Sequence, residues 1–251
     1  MLTMILNSPD LIIPTTRPPF IVIDGVNGAG KSTLIRELSG WLQEVGVGHY
    51  CTREPGGSTI GQHIRNIVVG QPEMLCPLSE VFLFLADRSH HVSTVIRPHL
   101  ESGRAVICDR YTYSTVAFQG YGRGLDVDQL IQLNMIATEG LTPDLLLLLD
   151  LPADMGLRRA NKRVNPSGST EETDAFEKES VQFHQRIRDG FFEIARSISE
   201  PAAIISADRA PEVVLADAKR WIQPLFASLP RATWTASTSG AAAIAHHPCN
   251  S

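Results

Sequence analysis

Apolar positions along this chain fall into two alternating rhythms. Short runs at 20–23, 49–52, 105–108, 145–149 and 203–205 have the length and the β-branched or leucine-rich character of strands. Between them apolar residues recur at helical spacing. Leu34, Ile35, Leu38, Trp41 and Leu42 follow the first run, then come 60–69, 78–99, 126–139, a helix starting near Asp154, another continuing through Phe192 and Ile194, and 211–226. Strands without polar alternation need cover on both faces, and strict strand–helix alternation predicts a parallel sheet. The expected fold is therefore α/β: a doubly wound sheet of five parallel strands with helices on both faces. Such sheets bind ligands beyond the strand C-terminal ends, where Gly25, Arg53, Asp109 and Asp150 fall.

The two ends of the chain lack this rhythm. Residues 1–19 carry Pro14, Pro18 and Pro19 and read as a flexible N-terminal extension, while 227–251, rich in Ala, Ser and Thr, reads as a disordered tail. That leaves 20–226 as one domain, a size that supports a full core. A formal charge of -5 and a pI near 5.9 argue against a nucleic-acid partner. No apolar run reaches the length of a membrane span, and the opening residues lack a signal-peptide pattern. Cys51, Cys76, Cys108 and Cys249 show no C-x-x-C spacing and read as core thiols in a reducing compartment. A cytoplasmic protein is expected. His90-His91 and His246-His247 lack a third ligand and read as helix surface and tail.

Chemistry enters at Gly25-Val26-Asn27-Gly28-Ala29-Gly30-Lys31-Ser32, which fits G-x-x-x-x-G-K-[ST] between a strand and a helix. Glycines let backbone N–H groups converge on phosphate oxygens at a helix N-terminus, Lys31 adds a positive charge, and the Ser32 hydroxyl can ligate Mg²⁺. Thr33 follows in the first turn. The motif predicts nucleoside triphosphate binding on a P-loop NTPase-type fold. The absence of an Asn-Lys-x-Asp element makes a GTPase a poor reading.

Further along stand Thr52-Arg53-Glu54-Pro55-Gly56-Gly57, Phe84-Leu85-Ala86-Asp87-Arg88, and Asp109-Arg110-Tyr111 with Ser114, Thr115 and Ala117-Phe118-Gln119-Gly120. In this order, over about residues 20–222, they resemble the successive signatures of thymidylate kinases. The resemblance implies Mg²⁺-dependent transfer of the ATP γ-phosphate to dTMP, in a homodimer. It assigns Phe84 to stacking on thymine, Arg88 to a thymine carbonyl, and Arg110 with Arg53 to the acceptor phosphate. Pro55 shapes the turn, Ser114, Thr115 and Gln119 belong to the acceptor loop, and Phe118 stands where the family commonly has tyrosine, against the sugar. Asp109 falls near metal and phosphates.

The charged stretch 158–178 resembles the mobile lid, with Arg163 as first and Arg159 as second choice for the catalytic arginine, because the P-loop position that can carry it is Gly28 here. Asp174 and Glu177 match an acidic pair that can help organise the metal, and Ala175 replaces the arginine often found between them. Asn27 replaces the usual P-loop carboxylate, so Asn27→Asp is expected to leave activity intact or raise it. Two competitors follow: a kinase of another or modified pyrimidine deoxynucleotide, and a nucleotide-binding regulatory protein without transfer. The turn 206–209 is a candidate for adenine contact by position alone.

Overall fold

β1 (Phe20–Gly25) lies at the centre of a five-stranded parallel sheet, ordered β2-β3-β1-β4-β5, in a computed structural model that describes residues 8–12, 14–15, 17–70, 75–162 and 175–227. Its partners are β3 (Ala105–Asp109) and β4 (Leu145–Asp150), with β2 (His49–Arg53) and β5 (Ala202–Ser206) outside them. Every residue of β1 is buried, and so is the leucine run of β4. Two covered faces explain why these strands are continuously apolar.

Nine helices run through the described residues. They are α1 (Lys31–Glu44), α2 (Thr59–Gly70), α3 (Pro77–His91), α4 (Arg97–Glu101), α5 (Thr112–Thr115), α6 (Val127–Thr138), α7 (Ala153–Ala160), α8 (Val181–Ser197) and α9 (Pro211–Ile222). The helix expected over 78–99 is α3 and α4 joined by a π turn at Val92–Ile96, where the Arg97 amide reaches back to the Val92 carbonyl. The turn lies just before Pro98, which has no N–H for a regular ladder. A further π turn, Val116–Gly122, follows α5 and packs on α8.

Part of the presumed N-terminal extension packs on the domain. Ile12 is buried in the core, the Thr15 amide donates to Leu225 O, and Arg17 pairs with Asp144 at 2.9 Å, whose other oxygen accepts the Phe20 amide at 2.7 Å. Cys76 also departs from expectation: it is the exposed N-cap of α3, whereas Cys108 is buried and Cys51 half-buried. The tail from 228 onward, with His246, His247 and Cys249, lies outside the described residues.

Candidate active site

The C-terminal edge of the sheet opens into one cleft of about 900 Å³. Its floor at one end is the P-loop. α1 begins at Lys31 behind Gly30, an N-cap without a side chain, so the positive end of the helix dipole faces an anion site. Gly28 has φ +76°, and a Cβ there would stand 2.1 Å from the Gly156 carbonyl oxygen on α7. Close approach of α7 therefore demands a glycine at 28, and this is the physical reason that no arginine can occupy it. Lys31 is buried with its Nζ donating to the Gly25 and Val26 carbonyls at 3.1 and 3.0 Å. Ser32 Oγ donates to Asp109 Oδ2 at 3.3 Å, while Asp109 Oδ1 is buried with no hydrogen-bond partner.

Arg110 crosses from the end of β3 to the P-loop. Its φ of +69° is uncommon for a residue with a side chain, and such a backbone costs of order 1 kcal/mol. The guanidinium offsets it by donating to Gly25 O at 3.1 Å, Ser114 Oγ at 2.9 Å, Asp24 Oδ1 at 3.3 Å and Asn27 Oδ1 at 2.5 Å. Asp24 is fully buried and anchors this group; burial raises its pKa, and the Arg110 and Lys31 charges oppose that rise.

At the other end of the cleft Phe84, Thr115, Phe118, Gln119 and Arg88 line a pocket. Phe118 is buried edge-on against Phe176, with ring centroids 5.5 Å apart. Arg88, fully buried, donates to Thr115 Oγ1 at 2.9 Å, to Tyr111 O at 3.0 Å, to Glu54 Oε2 at 2.7 Å and to Asn134 Oδ1. Four of its five N–H donors are thereby used and one Nη2 hydrogen is left. Gln119 donates to Glu80 at 3.2 Å, which Arg123 also clasps. Asp87, beside Arg88, has its pKa pushed up to about 6 by burial and by the Glu54 carboxylate.

Of the residues singled out in the sequence, Asn27, Gly28, Gly30, Lys31, Ser32, Thr33, Arg53, Pro55, Ser114 and Arg110 line the same cleft as Asp109, Arg159 and Glu177. Gly25 and Ala29, both buried, are not among the residues that line it. Arg159 donates to Ala207 O at 2.9 Å and walls the cleft beside the loop after β5. Asp150 is taken by a two-pronged pair with Arg188 at 2.7 and 2.9 Å. Arg163 and Asp174 lie outside the described residues. The sequence reading missed Glu54, Arg36, Arg65 and Phe176 as cleft residues. Glu54 was within a quoted motif, and Phe176 stood one place before Glu177.

Asn27 alters one expectation. Its Oδ1 accepts from Arg110, while Nδ2 donates to Glu177 Oε1 at 3.5 Å. An amide joins a cation to an anion here; a carboxylate would face Glu177 with like charge. Asn27→Asp should therefore lower kcat/KM, by about tenfold for a repulsion of roughly 1–2 kcal/mol partly screened by Arg110. Adding Glu177→Gln should recover most of that loss in steady-state ADP release; an Asn27→Asp enzyme at or above parental activity would restore the sequence-based expectation.

A P-loop sharing one cleft with an aromatic and arginine-walled pocket defines a P-loop phosphotransferase acting on a second small molecule. The thymidylate kinase family model matches residues 23–218. The thymidylate kinase of Desulfovibrio desulfuricans is 47% identical over 205 residues, covering 81% of this chain and 94% of the relative. That of Carboxydothermus hydrogenoformans is 41% identical, covering 83% and 98%. The crystal structure of thymidylate kinase from Ehrlichia chaffeensis superposes with a TM-score of 0.65 at 29% identity, covering 84% of this chain and all of that one (100%). The chain belongs to the thymidylate kinase family.

Proposed function

We infer that this chain transfers the γ-phosphate of ATP to dTMP, giving dTDP and ADP. Family membership gives the reaction, and one observation ties it to these residues: a single cleft joins the P-loop to the pocket of Phe84, Arg88 and Phe118. Lys31 and the loop amides hold the donor phosphates. Arg110 and Arg53 orient the acceptor phosphate, whose oxygen attacks in line, so that no covalent enzyme intermediate is needed. Phe84 stacks on the pyrimidine, and the last Nη2 hydrogen of Arg88 serves a ring carbonyl. Phe118 closes the sugar side with an apolar wall that disfavours a ribose 2′-hydroxyl. Arg163 supplies the lid charge over the transferring group, a reading favoured by the steric exclusion of any side chain at Gly28.

The donor set fits Mg²⁺. Ser32 Oγ and Asp109 adjoin, the buried Asp109 Oδ1 has no protein partner, and hydroxyl and carboxylate oxygens are hard ligands. Among the described residues no cluster of three or more His, Cys, Asp or Glu side chains converges, so the phosphates would complete the ligand set. Ser32 would ligate the ion, with Asp109 and Glu177 acting on its hydration shell. When bound, the ion neutralises charge on the donor phosphates.

Two further readings belong with this function. Leu78 and Phe82 on α3, Ile131, Met135 and Ile136 on α6, and Ile60 on α2 are exposed, and α3 packs against both other helices. This apolar face supports a homodimer. The reduced thiols of Cys51 and Cys108 suit a reducing, cytoplasmic setting; among the described residues no helix is long and apolar enough to cross a membrane.

The test is ADP production from ATP and Mg²⁺ with dTMP, dUMP, dCMP, dGMP and UMP offered separately. dTMP is expected to give the highest kcat/KM and UMP a value at least about 10-fold below dUMP, consistent with a rim that excludes one hydroxyl. Preference for another base would move the acceptor assignment, and silence with all five would favour a binding protein.

A further inference from the structure

His91 was expected on a helix surface and is instead wholly buried, at 0% exposure. Both ring nitrogens are engaged. Nε2 lies 2.7 Å from Thr52 Oγ1, and Nδ1 lies 2.9 Å from Glu54 Oε1. The ring is fitted against the turn after β2, since a Cβ at Gly57 would stand 2.2 Å from His91 Nε2. Glu54 then passes the contact on: its second oxygen accepts from Arg88 Nε at 2.7 Å, and Arg88 reaches Thr115 in the pocket. Glu54 and Arg88 are each nearly fully buried.

Hydrogen-bond chemistry fixes the direction of this chain. An ionised Glu54 can only accept, so Nδ1 of His91 carries a proton and donates to it. Arg88 Nε donates to the other oxygen. A buried carboxylate held from both sides cannot rotate without leaving one donor unsatisfied, at a cost that keeps the network in a single arrangement. The plane of the Arg88 guanidinium, and with it the direction of its remaining N–H, is therefore set by a residue that does not itself line the cleft.

We propose that His91 is a positioning residue for acceptor recognition, holding Glu54 through Nδ1 so that Arg88 presents its free N–H to the pyrimidine. The proposal rests on the dTMP kinase reading above. Its mark is selective: the acceptor end of the cleft changes and the donor end does not, because neither His91 nor Glu54 bonds to the P-loop in the contacts described.

Two variants separate position from mere bulk. In His91→Asn the amide nitrogen stands near the place of Nδ1 and can keep the bond to Glu54. In His91→Gln it reaches toward Thr52 and leaves Glu54 unheld. Both place an amide in the same slot. Steady-state kinetics of the full-length chain, with ATP and dTMP varied in turn and dCMP as competitor base, is expected to show His91→Gln raising KM for dTMP about 10-fold and shrinking the preference for dTMP over dCMP by a similar factor. KM for ATP should stay within twofold, and His91→Asn should stay within threefold of the parent throughout.

Thermal melting of both variants accompanies the kinetics. Equal behaviour of the two variants, or parallel rises in both Michaelis constants with a matching loss of melting temperature, would overturn the positioning role and leave His91 a packing residue. A parent chain inactive on dTMP would instead overturn the activity on which the proposal rests, so the two failures are told apart by the unmutated protein.

Discussion

Lys31→Met is expected to lower kcat/KM for phosphoryl transfer by about 10³-fold or more, roughly 4 kcal/mol of transition-state stabilisation, with little change in melting temperature. Methionine keeps most of the apolar stem and removes the charge together with its N–H donors. That charge is held in place rather than left to wander, because the Gly25 and Val26 carbonyls receive its hydrogens at 3.1 and 3.0 Å inside a nearly closed position. Catalysis of this kind depends on charge already oriented toward the place where negative charge gathers. Kinetics and a thermal melt on the same preparation decide it. A loss below tenfold in a well-folded variant would mean that the loop amides alone carry the donor phosphates.

Gly28→Ala is expected to be as damaging by another route, destabilising the fold by at least about 3 kcal/mol and abolishing measurable ATP binding. Two costs combine. A Cβ at φ +76° is strained, by roughly 1–2 kcal/mol. The added methyl would also lie 2.1 Å from backbone Gly156 O, and neither the P-loop nor α7 can yield cheaply. Gly30 provides the internal comparison, having φ +89° and no atom within 4 Å of a built Cβ. Gly30→Ala should show the strain alone. Denaturant unfolding of the pair, with nucleotide titration, gives the difference due to collision; equal effects would show that α7 moves aside.

Much of the fold was legible because most of its strands are short apolar runs and its P-loop sits between strand and helix. Five strands, their parallel sense and the ligand edge follow from patterning alone; their order in the sheet does not. Residues 112–122 did not read as helical, since Thr112, Tyr113, Thr115, Val116 and Phe118 are poor helix formers. They hold that shape because Tyr113, Thr115 and Phe118 are buried and the following turn packs on α8. Tertiary burial overrode propensity there.

The same limit applies within the site. His91 looked like a surface residue because the groups that satisfy it, Thr52 and Glu54, stand 39 and 37 residues away. Asn27 was read as a lost charge. In three dimensions it stands between Arg110 and Glu177, where a neutral donor and acceptor fit both. Local pattern carries the identity of a polar residue but not of its partner, and the partner decides the role.

α3 presents Phe82 outward and, two residues later, Phe84 to the cleft, with Arg88 one turn further on the cleft side. Opposite sides of one helix thus face solvent and cleft. On the proposed function, a second copy seated against Phe82 and a base seated against Phe84 would bear on opposite sides of the same helix. Communication between surface and pocket would need no relay of loops, only a small tilt of a single helix.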